Sequence, residues 1–117
     1  MYSFYSTDFV SGEAVQDHNV PCAVCQSVHR RNVLMIPAKN KCYPGWHMEY
    51  NGYLVAEHYE HKNNKNFECL DHEPQTDQAG YRNENGALMY PVLGICGSLP
   101  CPAYLESKIL TCVVCTK

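Results

Sequence analysis

The chain reads as an all-β protein of mostly antiparallel strands and hairpins, with long loops and a disulfide-rich framework. Three observations carry that reading. Apolar residues recur in short β-branched and aromatic runs punctuated by glycine and proline. No segment holds a 3.6-residue periodicity over ten or more residues. Eight cysteines in 117 residues, an even number in a small chain, indicate a disulfide scaffold from an oxidising compartment.

The elements follow in order. Met1 to Val10 (MYSFYSTDFV) is aromatic and β-branched and predicts a first strand, and Ser11 to Asn19 is a polar loop. An aromatic strand of this kind needs a sheet to join, its own or a neighbour's. Val20 to Val28 predicts a second strand and Val33 to Ile36 a third, ended by Pro37. Trp46 to Tyr50 and Tyr53 to Ala56 flank Asn51-Gly52, the signature of a type I′ hairpin. Phe67 to Leu70 is a short strand carrying Cys69, and Asp71 to Gly86 is a long polar loop. Ala87 to Leu93 returns to strand character, with Pro91 suggesting an edge or a bulge. Gly94 to Pro102 is a punctuated loop, and a last hairpin joins Ala103–Leu105 to Ile109–Thr116 around Glu106-Ser107-Lys108. Residues 1–117 read as a single domain, with 1–19 exchanged with or packed on a neighbouring subunit.

Composition narrows the function. Net charge is −3, 18% of residues are charged and Arg30-Arg31 is the only basic doublet, which is no footprint for nucleic acid. No apolar run approaches the roughly 18 residues of a membrane-spanning helix, so membrane insertion is not expected. Met1 to Tyr5 has neither the basic nor the apolar region of a signal peptide; with paired cysteines this reads as a mature or trimmed form. No Asn-x-Ser/Thr acceptor occurs, and Asn40-Lys41-Cys42 is at most a rare variant of it.

Two C-x-x-C segments, Cys22–Cys25 and Cys112–Cys115, organise the cysteines. A four-cysteine zinc site is one reading. It is weakened by Ala23-Val24 and Val113-Val114, which favour extended backbone, where residues three apart point to opposite faces. Thioredoxin-type chemistry would need a helix N-terminus. As disulfides, Cys22–Cys115 and Cys25–Cys112 share one residue-number sum, 137, as an antiparallel ladder requires. The parallel alternative, Cys22–Cys112 and Cys25–Cys115, fits a constant offset equally well. Cys96 and Cys101 are close enough for a local loop, which leaves Cys42 with Cys69, bracketing Asn51-Gly52.

Several stretches in this order resemble the C-terminal non-collagenous domain of invertebrate short-chain collagens and related secreted marine-invertebrate proteins. They are Asn19 to Cys25, Met35-Ile36-Pro37-Ala38, Cys42 to Trp46, Met48 to Leu54, Gly94 to Pro102 and Thr111 to Lys117. The likeness runs over nearly the whole chain from Gln16 on. The chain departs from the collagen-like members in having no Gly-X-Y repeat, so no triple helix is implied. It also carries the Cys42, Pro44-Gly45, Gly52-Tyr53, His58-Tyr59-Glu60-His61, Cys69 pattern once, where the family domain repeats it; the chain corresponds to the second half. Recurrence of those two cysteines in the family's first half supports Cys42–Cys69. The resemblance implies an extracellular, secreted, non-enzymatic structural module of the matrix. A half-domain that normally packs on a partner half would find it in another copy, giving a homo-oligomer or filament.

The remaining chemistry is sparse. Glu57, His58, Glu60, His61, Asp71 and His72 have metal-ligand side chains, with His58 and His61 the weak metal candidates, but on a strand those two face opposite ways. No Ser-His-Asp pattern or paired carboxylates define a catalytic site, and no cofactor is implied. Trp46, Tyr50, Tyr53, Tyr59, Tyr81 and Tyr90 could stack on sugars, so the alternative function is a secreted glycan-binding, lectin-like module using the Asp71–Gly86 loop. The expected partners are therefore copies of the chain itself, with glycans or other matrix proteins as further ones.

Overall fold

The computed structural model describes residues 2–4, 18–62, 66–77, 79–80 and 86–117, and these form an all-β protein with three disulfides. The strands are β1 (Tyr2–Phe4), β2 (Val33–Pro37), β3 (His47–Ala56), β4 (Glu68–Asp71), β5 (Ala87–Pro91) and β6 (Thr111–Thr116). They form one sheet in the order β1-β5-β3-β6-β2, with β4 also paired to β3. β1 runs parallel to β5, and every other strand pairing is antiparallel. Of the expected Met1–Val10 strand, Tyr2–Phe4 is described; residues 5–17 lie outside the described set.

β3 is the hub. It pairs with β6 from His47 to Tyr53, with β4 from Gly52 to Val55, and with β5 at Val55 and Ala56. Leu54 marks the place where β3 passes from β6 to β5. There Leu54 N–H donates to Leu110 C=O, Leu110 N–H to Val92 C=O, and Val92 N–H to Leu54 C=O, each at 2.9 Å. Leu54 of β3, the residue after β5 and the residue before β6 thus close a ring of backbone hydrogen bonds in which none of the three amides is left unpaired. On the other edge of β3, Asn51 C=O accepts from His72 N–H just beyond β4.

Asn51-Gly52 is not a hairpin turn: β3 runs straight through it. What the glycine supplies is room. A Cβ on Gly52 would sit on the Leu70 carbonyl oxygen and lie 2.9 Å from the Asp71 carbonyl carbon. β4 is thus folded closely over the Gly52 position, and a type I′ turn is not needed to explain the residue. The strand instead takes up its irregularity as a bulge between Met48 and Tyr50, with Glu49 as the extra residue.

The expected strand at Val20–Val28 does not form. The backbone from Val20 to Ser27 carries neither strand pairing nor turn, and Pro21 to Gln26 are all exposed. The reason lies in β6. Its two edges are occupied by β2 and β3, so no edge is left for the Cys22–Cys25 segment. Accordingly the pairings Cys22–Cys115, Cys25–Cys112 and Cys42–Cys69 are not made, nor are the parallel alternatives. Cys42 bonds to Cys115, Cys69 to Cys112 and Cys96 to Cys101, while Cys22 and Cys25 remain free thiols. The last hairpin is also differently built. Residues 92–94 pair with 108–110 through Leu93 and Ile109, and Ala103–Leu105 is not a strand.

The register puts most of the core on one face. Ile36 opposes Val113, which opposes Asn51; Tyr53 and Val55 follow by alternation, and Tyr53 opposes Leu70. Val55, Leu70 and Met89 form one buried cluster with Val20, Tyr53 and Ile109 against it. Ile36, Val113 and Cys115 form a second, covered by Cys42 and Trp46. Cys115 belongs to this face, and Cys112, three residues away, to the other. The two disulfides of β6 therefore lie on opposite sides of the sheet.

Only eight hydrophobic side chains among the described residues are buried, two of them Cys112 and Cys115. So small a core leans on its cross-links. Closing the Cys42–Cys115 and Cys69–Cys112 loops, of separation 73 and 43, contributes about 4 kcal/mol each by the chain-entropy argument; Cys96–Cys101, of separation 5, contributes about 2. Cys69 and Cys112 lie on the two strands that flank β3. In a flat sheet such strands are about 9.5 Å apart, yet these Cα atoms are 5.8 Å apart. β4 and β6 must lean together over Gly52, the position with no side chain.

Gly52→Ala tests that crease. The added methyl is expected to lower unfolding free energy by about 3 kcal/mol, the upper range of overpacking, and to slow closure of Cys69–Cys112 on oxidative refolding. Denaturant titration and thiol quantification read both; an alanine variant as stable as the parent contradicts the close approach.

Candidate functional site

A concavity of about 720 Å³ lies beside β4. Its apolar wall is Val20, Pro21, Val55, Leu70 and Met89, and Glu68, Asp71 and Glu73 bring carboxylates to it. Cys22 lines it as well, whereas Cys25 does not. The segment is placed here by Asn19, whose N–H donates to Gly80 C=O and whose C=O accepts from Asp77 N–H. Tyr50 closes part of the wall, and its hydroxyl donates to Cys69 C=O at 2.9 Å. Burial raises the Tyr50 phenol above its ordinary pKa, and the charges of Glu68 and Asp71 push it further in the same direction. The phenol accordingly stays neutral, held as a donor to backbone.

His58 and His61 come together because a turn at Tyr59-Glu60 joins them, with His61 N–H donating to His58 C=O; they line a loop with local hydrogen bonds. Their rings lie 5.1 Å apart between centroids, with Tyr90 packed on both. His61 Nδ1 is 3.0 Å from Glu57 Oε1, and Glu57 Oε2 also accepts the Leu88 N–H. Glu57 is thereby committed to joining this turn to β5. No group of three His, Cys, Asp or Glu side chains among the described residues is placed to hold a metal ion. The turn brings the two candidate histidines together without a third ligand. Asp71 and His72 sit apart from it at the end of β4, where His72 Nδ1 is 3.3 Å from Asp71 Oδ1.

Cys112 and Cys115, each in a disulfide on a different face, leave no four-thiolate set for zinc. Of the proposed sugar-stacking residues, Trp46 covers the Ile36 cluster with Lys117 Nζ 5.9 Å over its ring, and Tyr53 packs against the Val55 cluster. Tyr59 is 76% exposed. Tyr81 and residues 78 and 82–85 of the long loop lie outside the described set.

Family models, curated proteins and solved structures show no match to this chain. The site's chemistry therefore stands on its own residues.

Sequence reasoning missed a polar network at the bulge. Arg30 Nε donates to Thr116 Oγ1 at 3.0 Å, and the Thr116 hydroxyl donates to Glu49 Oε1 at 2.7 Å. Arg30 Nη2 is also 3.6 Å from that carboxylate. Glu49 is the extra residue of the bulge, and nothing local in the sequence marks a bulge there. Chiefly through the Thr116 hydrogen bond, with His47 and Arg30 assisting, the Glu49 carboxyl titrates below its ordinary 4.5. A lowered folded pKa adds stability that is complete above pH 4.5 and is lost as pH falls through the folded value. Carboxyl-carbon NMR titration is expected to place the Glu49 midpoint below 4.5, and Thr116→Val to move it back up; a midpoint unmoved by that substitution contradicts the network.

Proposed function

We propose that this chain is a secreted, extracellular-matrix-like structural module that assembles through copies of itself and performs no catalysis. The observation that carries the reading is the balance between core and cross-links. A sheet with few buried side chains is held by three disulfides, two of them joining strands or loops far apart in sequence. That design is compatible with an extracellular location, where disulfides persist, and it suits a module that must survive outside the cell. The resemblance to short-chain collagen terminal domains supports the same reading. Val24, Val28, Val33 and Ile95 are exposed apolar side chains that such packing could cover.

A second reading, a glycan-binding module, is favoured by the cleft beside β4. Glu68 and Asp71 there can accept hydrogen bonds from sugar hydroxyls, and Tyr50 supplies an aromatic wall. It ranks behind the first because the Tyr50 hydroxyl is already used on Cys69 C=O.

Sedimentation velocity over a hundredfold range of concentration separates them. Self-assembly predicts species heavier than one chain that grow with concentration. A single-chain species throughout, with binding on a glycan array, would overturn the first reading in favour of the second.

A further inference from the structure

We propose that Cys22 and Cys25 are intermolecular cross-linking thiols, each forming a disulfide with a different neighbouring copy of this chain. The inference rests on the self-assembly reading and names the covalent bond that would fix the assembly.

All eight cysteines lie among the described residues, and the fold consumes six. The two that remain are both exposed, in a stretch where every residue from Pro21 to Gln26 is exposed and Val24 is fully so. Inside the chain they have only each other. Yet the backbone from Val20 to Ser27 has no turn or bend, and three residues of unbent chain span about 10 Å. A disulfide needs Cα atoms within about 7 Å. The three bonds that do form have Cα separations of 5.8 or 5.9 Å. Closing Cys22 on Cys25 would require the segment to be rebuilt, so the available partner is another molecule.

Position sets the valency. Cys22 lines the cleft beside β4 and its thiol is 3.5 Å from Val20 C=O, while Cys25 takes no part in the cleft. Two exposed thiols about 10 Å apart along the segment, one at the cleft and one away from it, reach two neighbours, and a chain with two links makes a linear polymer, where one link would stop at a dimer. The second copy is the partner that always accompanies the chain at its own concentration, bearing the same exposed thiols.

The chemistry balances with a small-molecule disulfide as oxidant. A Cys22 or Cys25 thiolate attacks that disulfide, its S–S bond breaks, one small thiol leaves, and the other half stays bonded to the protein sulfur as a mixed disulfide. A thiolate of the second copy then attacks the protein sulfur and displaces the second small thiol. Two protein thiols and one small disulfide become one protein–protein disulfide and two small thiols.

The test oxidises the folded full chain with glutathione disulfide and resolves it by non-reducing electrophoresis. The expected result is a ladder at successive multiples of the single-chain mass that collapses on reduction. Cys22→Ser and Cys25→Ser are each expected to stop at dimers, and the double variant at one chain with its three internal disulfides intact. A single-chain product with a Cys22–Cys25 bond, a product carrying only glutathione, persistent free thiols, or a wild-type ladder ending at dimers would each overturn the proposal. Sedimentation of the double variant keeps the two readings apart. Heavy species without covalent links mean that assembly survives if the cross-link fails; a single-chain double variant beside a wild-type ladder means the reverse.

Discussion

The structure depends on the position of β6 between β2 and β3. A strand with both edges paired can be cross-linked only through its faces. Cys112 and Cys115 sit three apart and emerge on opposite ones, so each must find a separate partner. Cys115 meets Cys42 above the Ile36 and Val113 cluster, which Trp46 helps to cover. Cys112 meets Cys69 on the far side, reaching past β3 at the residue that has no side chain to obstruct it. The crease at Gly52, the bulge at Glu49 and the exclusion of Val20–Ser27 from the sheet all follow from fitting three partners around β3 and β6.

Much of the fold was legible. Val33–Pro37, the two halves of β3, β4, β5 and β6 all show as short β-branched or aromatic runs, because burial on a pleated face leaves that pattern locally. What was not legible is non-local. Asn51-Gly52 carries the dipeptide of a turn, but its glycine answers to the Leu70 carbonyl of another strand, which no window around residue 52 contains. The parity argument that separates Cys22 from Cys25 applies equally to Cys112 and Cys115. Matching the two segments by their shared spacing assumed that β6 had an edge to spare. The fate of that edge was set by β2 and β3, some 60 to 80 positions earlier in the chain.

The candidate site was legible only in its ingredients. His58 and His61 were visible as a pair, a turn carries them, and Glu57 is tied to both the turn and β5. The cleft beside β4 draws on residues from Val20 to Met89 and has no sequence signature. The informative chemistry is sulfur: six atoms spent on internal rigidity and two presented outward. That division is what the proposed self-assembling module would need: a stapled body and exposed thiols.

Disulfide mapping of the native chain tests the central claim most directly. Proteolysis without reduction, after free thiols are blocked, followed by mass spectrometry, is predicted to join the Cys42 peptide to Cys115 and the Cys69 peptide to Cys112. Recovery of Cys42 joined to Cys69, with Cys112 or Cys115 joined to Cys22 or Cys25 of the same chain, would contradict the account. It would mean that β6 has an open edge and that the sheet is assembled in another order.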